Sequence, residues 1–434
     1  MLILAPNSSE ILRVFREQFS IGNGETASDR NAKIFSVHIL HFHQGHGIAS
    51  RFSDFWLYEI AVWLHALSHS LVTIFIPILM LKSGYDVRTV VVFFLAYNII
   101  DAPLNFLARR VIRHIGARLA ILFATVVVIG FFWIFLHLQS ADIRTLFLMA
   151  FLVALYDSFY WVSHFYLFLE TGKASKFSGK STGSMYAMRQ LGLLLGPMIG
   201  AVILIFFSKH ILLYAVIIGF ALSLLPLLAL RGFPDRPCTK SVSFKKFFSM
   251  WKGKRAFLSS AFYGIHDSVE SNLFPLFIFI LFGTIQSVAI IPILLSVAAI
   301  GVAIFLGRMR PKRREIAIIV GGVAITLMWF VRITFGGALI YYATILAVSI
   351  CAYFILVPLD SLIFEHAQHI GDKLSASMYR NIAYMGANIL LYGTTFVFLE
   401  VFQPSFALAA TSLILLTLVN IFSSLFTARA RLTI

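Results

Sequence analysis

Two histidines four residues apart, His65 and His69 in "HALSHSL", lie in a stretch otherwise apolar enough for lipid. His266 and Glu270 in "HDSVESN" repeat the spacing in another such stretch. A separation of four places each pair on one face of a helix. Asp157 and Asp360, in "YDSF" and "LDSL", put carboxyl groups in similar surroundings, and Asp101, Arg189 and Arg380 are three further ionisable groups inside apolar runs. A charge near the bilayer centre costs at least ~2.5–3.5 kcal/mol, so such residues turn to a cavity or a partner. Three readings of His65, His69, Asp157, His266, Glu270 and Asp360 are open. Imidazoles and partly buried carboxyls exchange protons within reach of physiological pH, which suits proton coupling or polar substrate recognition. The same groups could hold a divalent cation. They could also simply hydrogen-bond helices together. The first reading fits the residue types best, and no resident metal or cofactor is expected.

The surrounding chain must be a membrane protein. Of its 434 residues 59% are hydrophobic and 12% charged, far from the roughly one-quarter charged of a soluble domain. Runs such as "LAILFATVVVIGFFWIFL" approach the ~20 residues that cross the hydrocarbon as a helix. The net charge of +16 is therefore read by its position between spans, as an orientation signal and contact with anionic lipid, not as a nucleic-acid footprint. Cys238 and Cys351 form no framework. No phosphate-binding loop, nucleotide motif or nucleophile elbow is present, which argues against an ATP-driven pump and against an enzyme.

Twelve helices are expected near 55–81, 89–108, 117–138, 145–169, 183–207, 210–230, 256–282, 285–307, 315–335, 338–364, 376–400 and 404–427. Lys and Arg then cluster in alternate loops, with Arg109, Arg110 and Arg113 after helix 2 and Arg308 to Arg314 after helix 8. Both termini are thereby placed in the cytoplasm, across a cell inner membrane. Residues 1–54 read as a disordered cytoplasmic tail, since His38, His41, His43 and His46 lack acidic or Cys co-ligands. Residues 55–230 and 256–427 read as two six-helix bundles, 231–255 as a basic linker on the inner surface, and 428–434 as a tail. "SMY" at 184–186 and 377–379, Asp157–Ser158 and Asp360–Ser361, and the two His-bearing segments suggest that the halves are copies.

Helix 5 carries Gly183, Gly192, Gly196, Pro197 and Gly200. Three of the glycines, four apart, make a smooth stripe for a close helix contact, and Pro197 adds a bend. A partner in the opposite half is expected. The spacing resembles motif C of major facilitator superfamily antiporters, G-x8-G-x3-G-P-x2-G-G, with Ala201 for the last glycine. The family's loop motif A is only partly present in "NFLARRVIRHIGAR", where Asn105 replaces the glycine and Arg109 the acid.

The resemblance implies an all-α membrane fold of twelve helices in two pseudo-symmetric bundles, working by alternating access. Helices 1, 4, 7 and 10 would line a central cavity and gather His65, His69, Asp157, His266 and Glu270. Arg189, Arg380 and Asp101 are assigned to gating, or to anchoring near helix ends. Motif C implies export of a small organic molecule in exchange for protons, by a monomer. A proton-linked importer, or a receptor or scaffold that kept the fold, are the alternatives.

Overall fold

The computed structural model describes residues 56–138, 141–171, 178–230, 243–297, 302, 305, 311–398 and 402–432. The tail at 1–54 with its four histidines, and linker residues 231–242, lie outside the described residues.

With no water in the hydrocarbon, each apolar run must satisfy its own backbone, and the described regular structure is helical throughout. The N-terminal bundle comprises α1 (Trp56–Lys82), α2 (Val87–Ile115), α3 (Ala117–Leu136), α4 (Ile143–Thr171), α5 (Ser178–Phe206) and α6 (Lys209–Ala229). A short helix, Phe244–Phe247, precedes the C-terminal bundle of α7 (Trp251–Phe282), α8 (Ile285–Val297), α9 (Pro311–Phe335), α10 (Ala338–Ile370), α11 (Lys373–Val397) and α12 (Gln403–Leu432). Ten of these are long and apolar enough to cross a membrane. The other two are α8, described over only part of the expected span, and α11, which spends its length on Ser375, Ser377, Arg380, Asn381 and Asn388.

The helices overrun the apolar segments that announce them. α2 continues through Arg109, Arg110 and Arg113 to Ile115, where Gly116 at φ 94° ends it. α7 starts at Trp251 rather than 256, because Arg255 is satisfied by Glu315, Asn420 and Ser423. α11 starts at Lys373, capped by Asp372, and α12 runs to Leu432.

Two helices break at matching places. α1 unwinds after Ser70 and passes through a 3₁₀ turn, Thr73–Phe75, before Ile76–Lys82; α7 widens into a π turn, Val269–Leu273, before Phe274–Phe282. The cause is shared. Pro77 and Pro275 stand at the start of the outer segments and cannot donate to the carbonyl four residues back. Interruptions of this kind are where helices expose functional groups.

Ser53–Ile434 forms one compact unit. Across the bundles α2 packs on α11 and α5 on α8, with α4 on α11 and α5 on α10. Exchanging the two halves maps each of these contacts onto its counterpart, as an axis between duplicated bundles requires.

The glycine stripe lies elsewhere than expected. A Cβ at Gly192 would stand 2.7 Å from the Leu67 nitrogen, and one at Gly196 2.9 Å from the Leu67 oxygen and the Leu71 nitrogen. Gly200 faces Leu71 as well. The partner is therefore α1 of the same bundle, and Ser70 Oγ donates to the Gly192 carbonyl at 3.0 Å across the seam. Four-residue spacing defines a smooth face, but either neighbour could have used it. The surroundings of Gly183 lie outside those described.

Candidate functional site: a central cavity between the bundles

A cavity of about 430 Å³ lies between the two bundles. Its wall includes His69, Asp157 and Arg189 from the first bundle and His266, Asp267, Glu270 and Arg380 from the second. Aromatic rings, among them Phe93, Tyr97, Trp161, Tyr384 and Tyr392, supply much of the remainder.

The C-terminal bundle holds two of its carboxylates in ion pairs of its own. Glu270, inside the π turn, receives Arg332 of α9 at 2.5 and 3.0 Å. Arg332 also donates to Thr344 and lies over the rings of Phe274 and Trp329. His266 Nδ1 accepts from Trp329 Nε1 at 3.0 Å, so α9 holds both His266 and Glu270. Asp360 takes Arg380 at 2.6 and 3.0 Å, beneath the ring of Phe165. Glu270, a candidate for proton coupling, is thus one half of an ion pair. Asp360 stands behind Arg380 rather than on the cavity wall.

The N-terminal bundle differs. His65 Nε2 meets the Tyr156 hydroxyl at 2.6 Å and its ring stacks on Tyr160 with centroids 3.8 Å apart. His164 follows on the same side of α4, bonded through Nδ1 to Tyr58. His69, at the break in α1, shares a bond with Thr73. A void of about 20 Å³ sits among His65, His69, His164, Tyr156, Tyr160 and Arg189, enough for one water. Among the described residues no three His, Cys, Asp or Glu side chains form a group able to hold a metal ion.

Asp157 lines the cavity near Tyr97, Trp161 and Asn381, yet its Oδ2 has no hydrogen-bond partner. Both Glu59 oxygens, fully buried in α1, have none either. Arg189, also on the cavity wall, lies over the Trp161 ring at 5.1 Å.

Asp101, expected at a gate, is a buried junction of three helices. It accepts from Ser158 of α4, from Asn105 one turn along α2, and from Asn381 of α11 at 3.5 Å. Asn381 also donates to Asn105 at 2.9 Å, which ties the bundles together. Arg189 and Arg380, expected near helix ends, both face the central cavity.

A second tie closes the basic end. Arg113 and Arg109 reach Asp372 at 3.4 and 4.0 Å, and Lys373 reaches Glu170 at 3.1 Å and the Leu169 carbonyl at 2.9 Å. The degenerate loop motif therefore retains a charge contact with its sign reversed, bases on α2 and the acid on α11. The cavity extends the other way, toward Ile74, Ile76 and Ile291.

Residues 59–390 match the family model of the Major Facilitator Superfamily. The chain belongs to that superfamily. A search of curated protein sequences finds no match. Among solved structures, a bacterial homologue of the iron transporter ferroportin in its outward-facing state is similar at TM-score 0.67 and 12% identity, over 86% of this chain and 99% of that one. The human organic anion transporter MFSD10 (TETRAN) is similar at 0.66 and 11%, over 85% and 99%. FucP, in an outward conformation, is similar at 0.60 and 14%, over 86% and 99%. At such identities the likeness is one of fold. Family and fold together make this superfamily member a multi-pass secondary transporter rather than an enzyme.

Arg332 was the functional residue least visible beforehand, although a lone arginine inside "WFVRITF" is a signal of the same kind as the others. Glu59 and His164 carried that signal too. Asp372 and Lys373 did not, since hydropathy assigns them to a loop.

Proposed function

We propose that the protein exports a small organic solute in exchange for protons by alternating access. It would act as a monomer in a cell inner membrane with both termini cytoplasmic. The observation that carries the coupling is Asp157 Oδ2, which has no partner on the cavity wall while Glu270 and Asp360 are each held by an arginine. An ionised carboxylate in such a place is costly unless neutralised, so a bundle that must close around it needs a proton or a cationic group there. His69 and the water-sized void behind it supply groups that pass or hold that proton. Solute and proton would then compete for a shared wall, which is the logic of exchange.

The basic end, tied by Asp372 and Lys373, is the cytoplasmic face by charge distribution, and the cavity would open outward. The motif C spacing supports export. Its glycines act through the α1–α5 seam, packing α5 closely on α1 beside the break.

The test is transport by reconstituted protein. Asp157→Asn should abolish accumulation driven by a pH gradient while preserving gradient-free counterflow of the same solute. Full accumulation by Asp157→Asn would remove the proton-coupled reading. Accumulation that follows the gradient in the opposite sense would make the protein an importer.

A further inference from the structure

Accounting for the charges on the cavity wall leaves two without a function. Arg380 is engaged bidentately by Asp360, and Glu270 by Arg332. Asp157 serves the proton in the reading above. Arg189 and Asp267 remain.

They occupy opposite bundles. Arg189 projects from α5 and Asp267 from α7, the latter being the exposed residue in an otherwise buried turn of helix, with the cavity as its opening. No ion pair joins them, although Arg189 is the foremost of the charges that reach Asp267. Their immediate surroundings differ in chemistry. Arg189 lies against the Trp161 ring, which leaves its planar fork of donors for an oxyanion. Asp267 shares the cavity wall with the phenol rings Tyr353, Tyr384 and Tyr392. A carboxylate set among aromatic faces is a site for an ammonium group.

We infer that the transported solute is a zwitterion, its anionic group bound by Arg189 and its ammonium group by Asp267, with an apolar body against the rings between them. The inference rests on the transport reading and names its substrate class. A cavity of about 430 Å³ has room for a molecule of amino-acid to small-drug size. Because the two anchors belong to different bundles, a solute carrying both charges neutralises both and draws the bundles together. A singly charged solute leaves one buried charge uncompensated on closure. Substrate selection and closure are thereby the same event.

Two measurements on the full chain decide it. The first is binding in nanodiscs of three compounds with one indole body: tryptophan, tryptamine and indole-3-propionate. Tryptophan should bind at least about tenfold more tightly than either, the difference one charge-assisted contact makes. Asp267→Asn should erase its advantage over indole-3-propionate, Arg189→Gln should erase its advantage over tryptamine, and Asp267→Glu should restore part of it. Equal or tighter binding of a singly charged analogue overturns the inference.

The second is exchange of a small-molecule cell extract by proteoliposomes, with the exchanged species identified by mass. Zwitterions exchanged by the wild type and lost in Asp267→Asn support the assignment. Exchange of only neutral or singly charged solutes overturns it and leaves the transport reading standing. Exchange of nothing at all removes that reading, and this inference with it.

Discussion

Asp157 of α4 and Asp360 of α10 are each followed by a serine, yet the fold treats them in opposite ways. Asp360 is clamped by Arg380, whereas Asp157 faces the cavity with one oxygen unpartnered. The break in the first helix of each bundle repeats the contrast. At one stands His69, its ring bonded to Thr73, and at the other Glu270, locked to Arg332. Arginines of α9 and α11 hold Glu270 and Asp360 in ion pairs, and among the described residues none does so for His69 or Asp157. A buried charge becomes scaffold when its partner is built in and a working group when it is not.

The sharpest way to break this comparison is to remove a built-in partner. Arg332→Gln leaves Glu270 uncompensated among Phe274 and Trp329, and should cost roughly 3–5 kcal/mol, seen as a large fall in thermal midpoint. Asp157→Asn deletes no ion pair and should stay within about 1 kcal/mol of the wild type. Equal losses from the two variants would mean that Asp157 is scaffold as well.

The seam between first and fifth helices offers a second contrast, of smaller size. A methyl group at Gly196 meets the backbone of Leu67 and Leu71 at 2.9 Å, which cannot yield without moving α1. In the other bundle the seam of α7 and α11 is met at Gly264, where the methyl group finds the Tyr384 ring at 3.0 and 3.1 Å and its Cα at 3.2 Å. These contacts ask for a smaller displacement than the backbone contacts at Gly196. Gly196→Ala should therefore destabilise by about 1–3 kcal/mol and Gly264→Ala by less, by unfolding in the same detergent. The reverse order would show that α1 is the more pliable element.

How much of this was legible beforehand depends on what a one-dimensional signal carries. Hydropathy and charge located the helices, because lipid imposes both signals, and matched segments such as "SMY" pointed to the duplicated plan. Helix ends were missed where charged residues continue the helix beyond the lipid, as from Arg109 to Ile115 and from Trp251 to Arg255. The glycine spacing revealed a smooth face but not its partner, since α1 and a helix of the other bundle are equally compatible with it. The site was legible as a set of residues and illegible as a set of pairs. That Glu270 belongs to Arg332, 62 residues on, follows only from how α9 packs on α7.

The basic end contrasts with the open one, and the expected effect there is smaller again. Asp372 is fully buried, whereas Arg109 and Arg113 are partly exposed, so screening weakens their contact. Asp372→Asn retains a side-chain acceptor for the Ser375 amide while removing the charge. It should shift spin-label distances between α2 and α11 toward separation by an amount equivalent to about 1 kcal/mol, without lowering the thermal midpoint appreciably. A distance distribution unchanged from the wild type would assign closure of this end to Asn381 and Asn105 alone.

The smallest contrast lies in the first loop of each bundle, outside the membrane. Asp86 caps α2, accepting from the Thr89 amide at 2.8 Å, while Thr284 at the head of α8 accepts from the Ser287 amide at 3.3 Å. The Thr89 side chain and amide hold the Asp86 carboxyl below the ordinary aspartate value. A group whose value falls on folding stabilises above its unfolded pKa of about 3.9 and loses that contribution as the pH drops through the folded value. The cap of α2 should therefore be constant from neutral pH to about 5 and weaken below about 4, whereas the threonine cap of α8 does not titrate. Because Asp86 is exposed, the increment is at most about 1 kcal/mol. Thermal midpoints of wild type and Asp86→Ser should diverge near neutral pH and converge in acid. Thr284→Asp should install the same acid-sensitive step in the second bundle. Parallel curves for wild type and Asp86→Ser would show that this carboxylate contributes nothing as a charge, and that the two loops, unlike the two cavity walls, have not diverged in function.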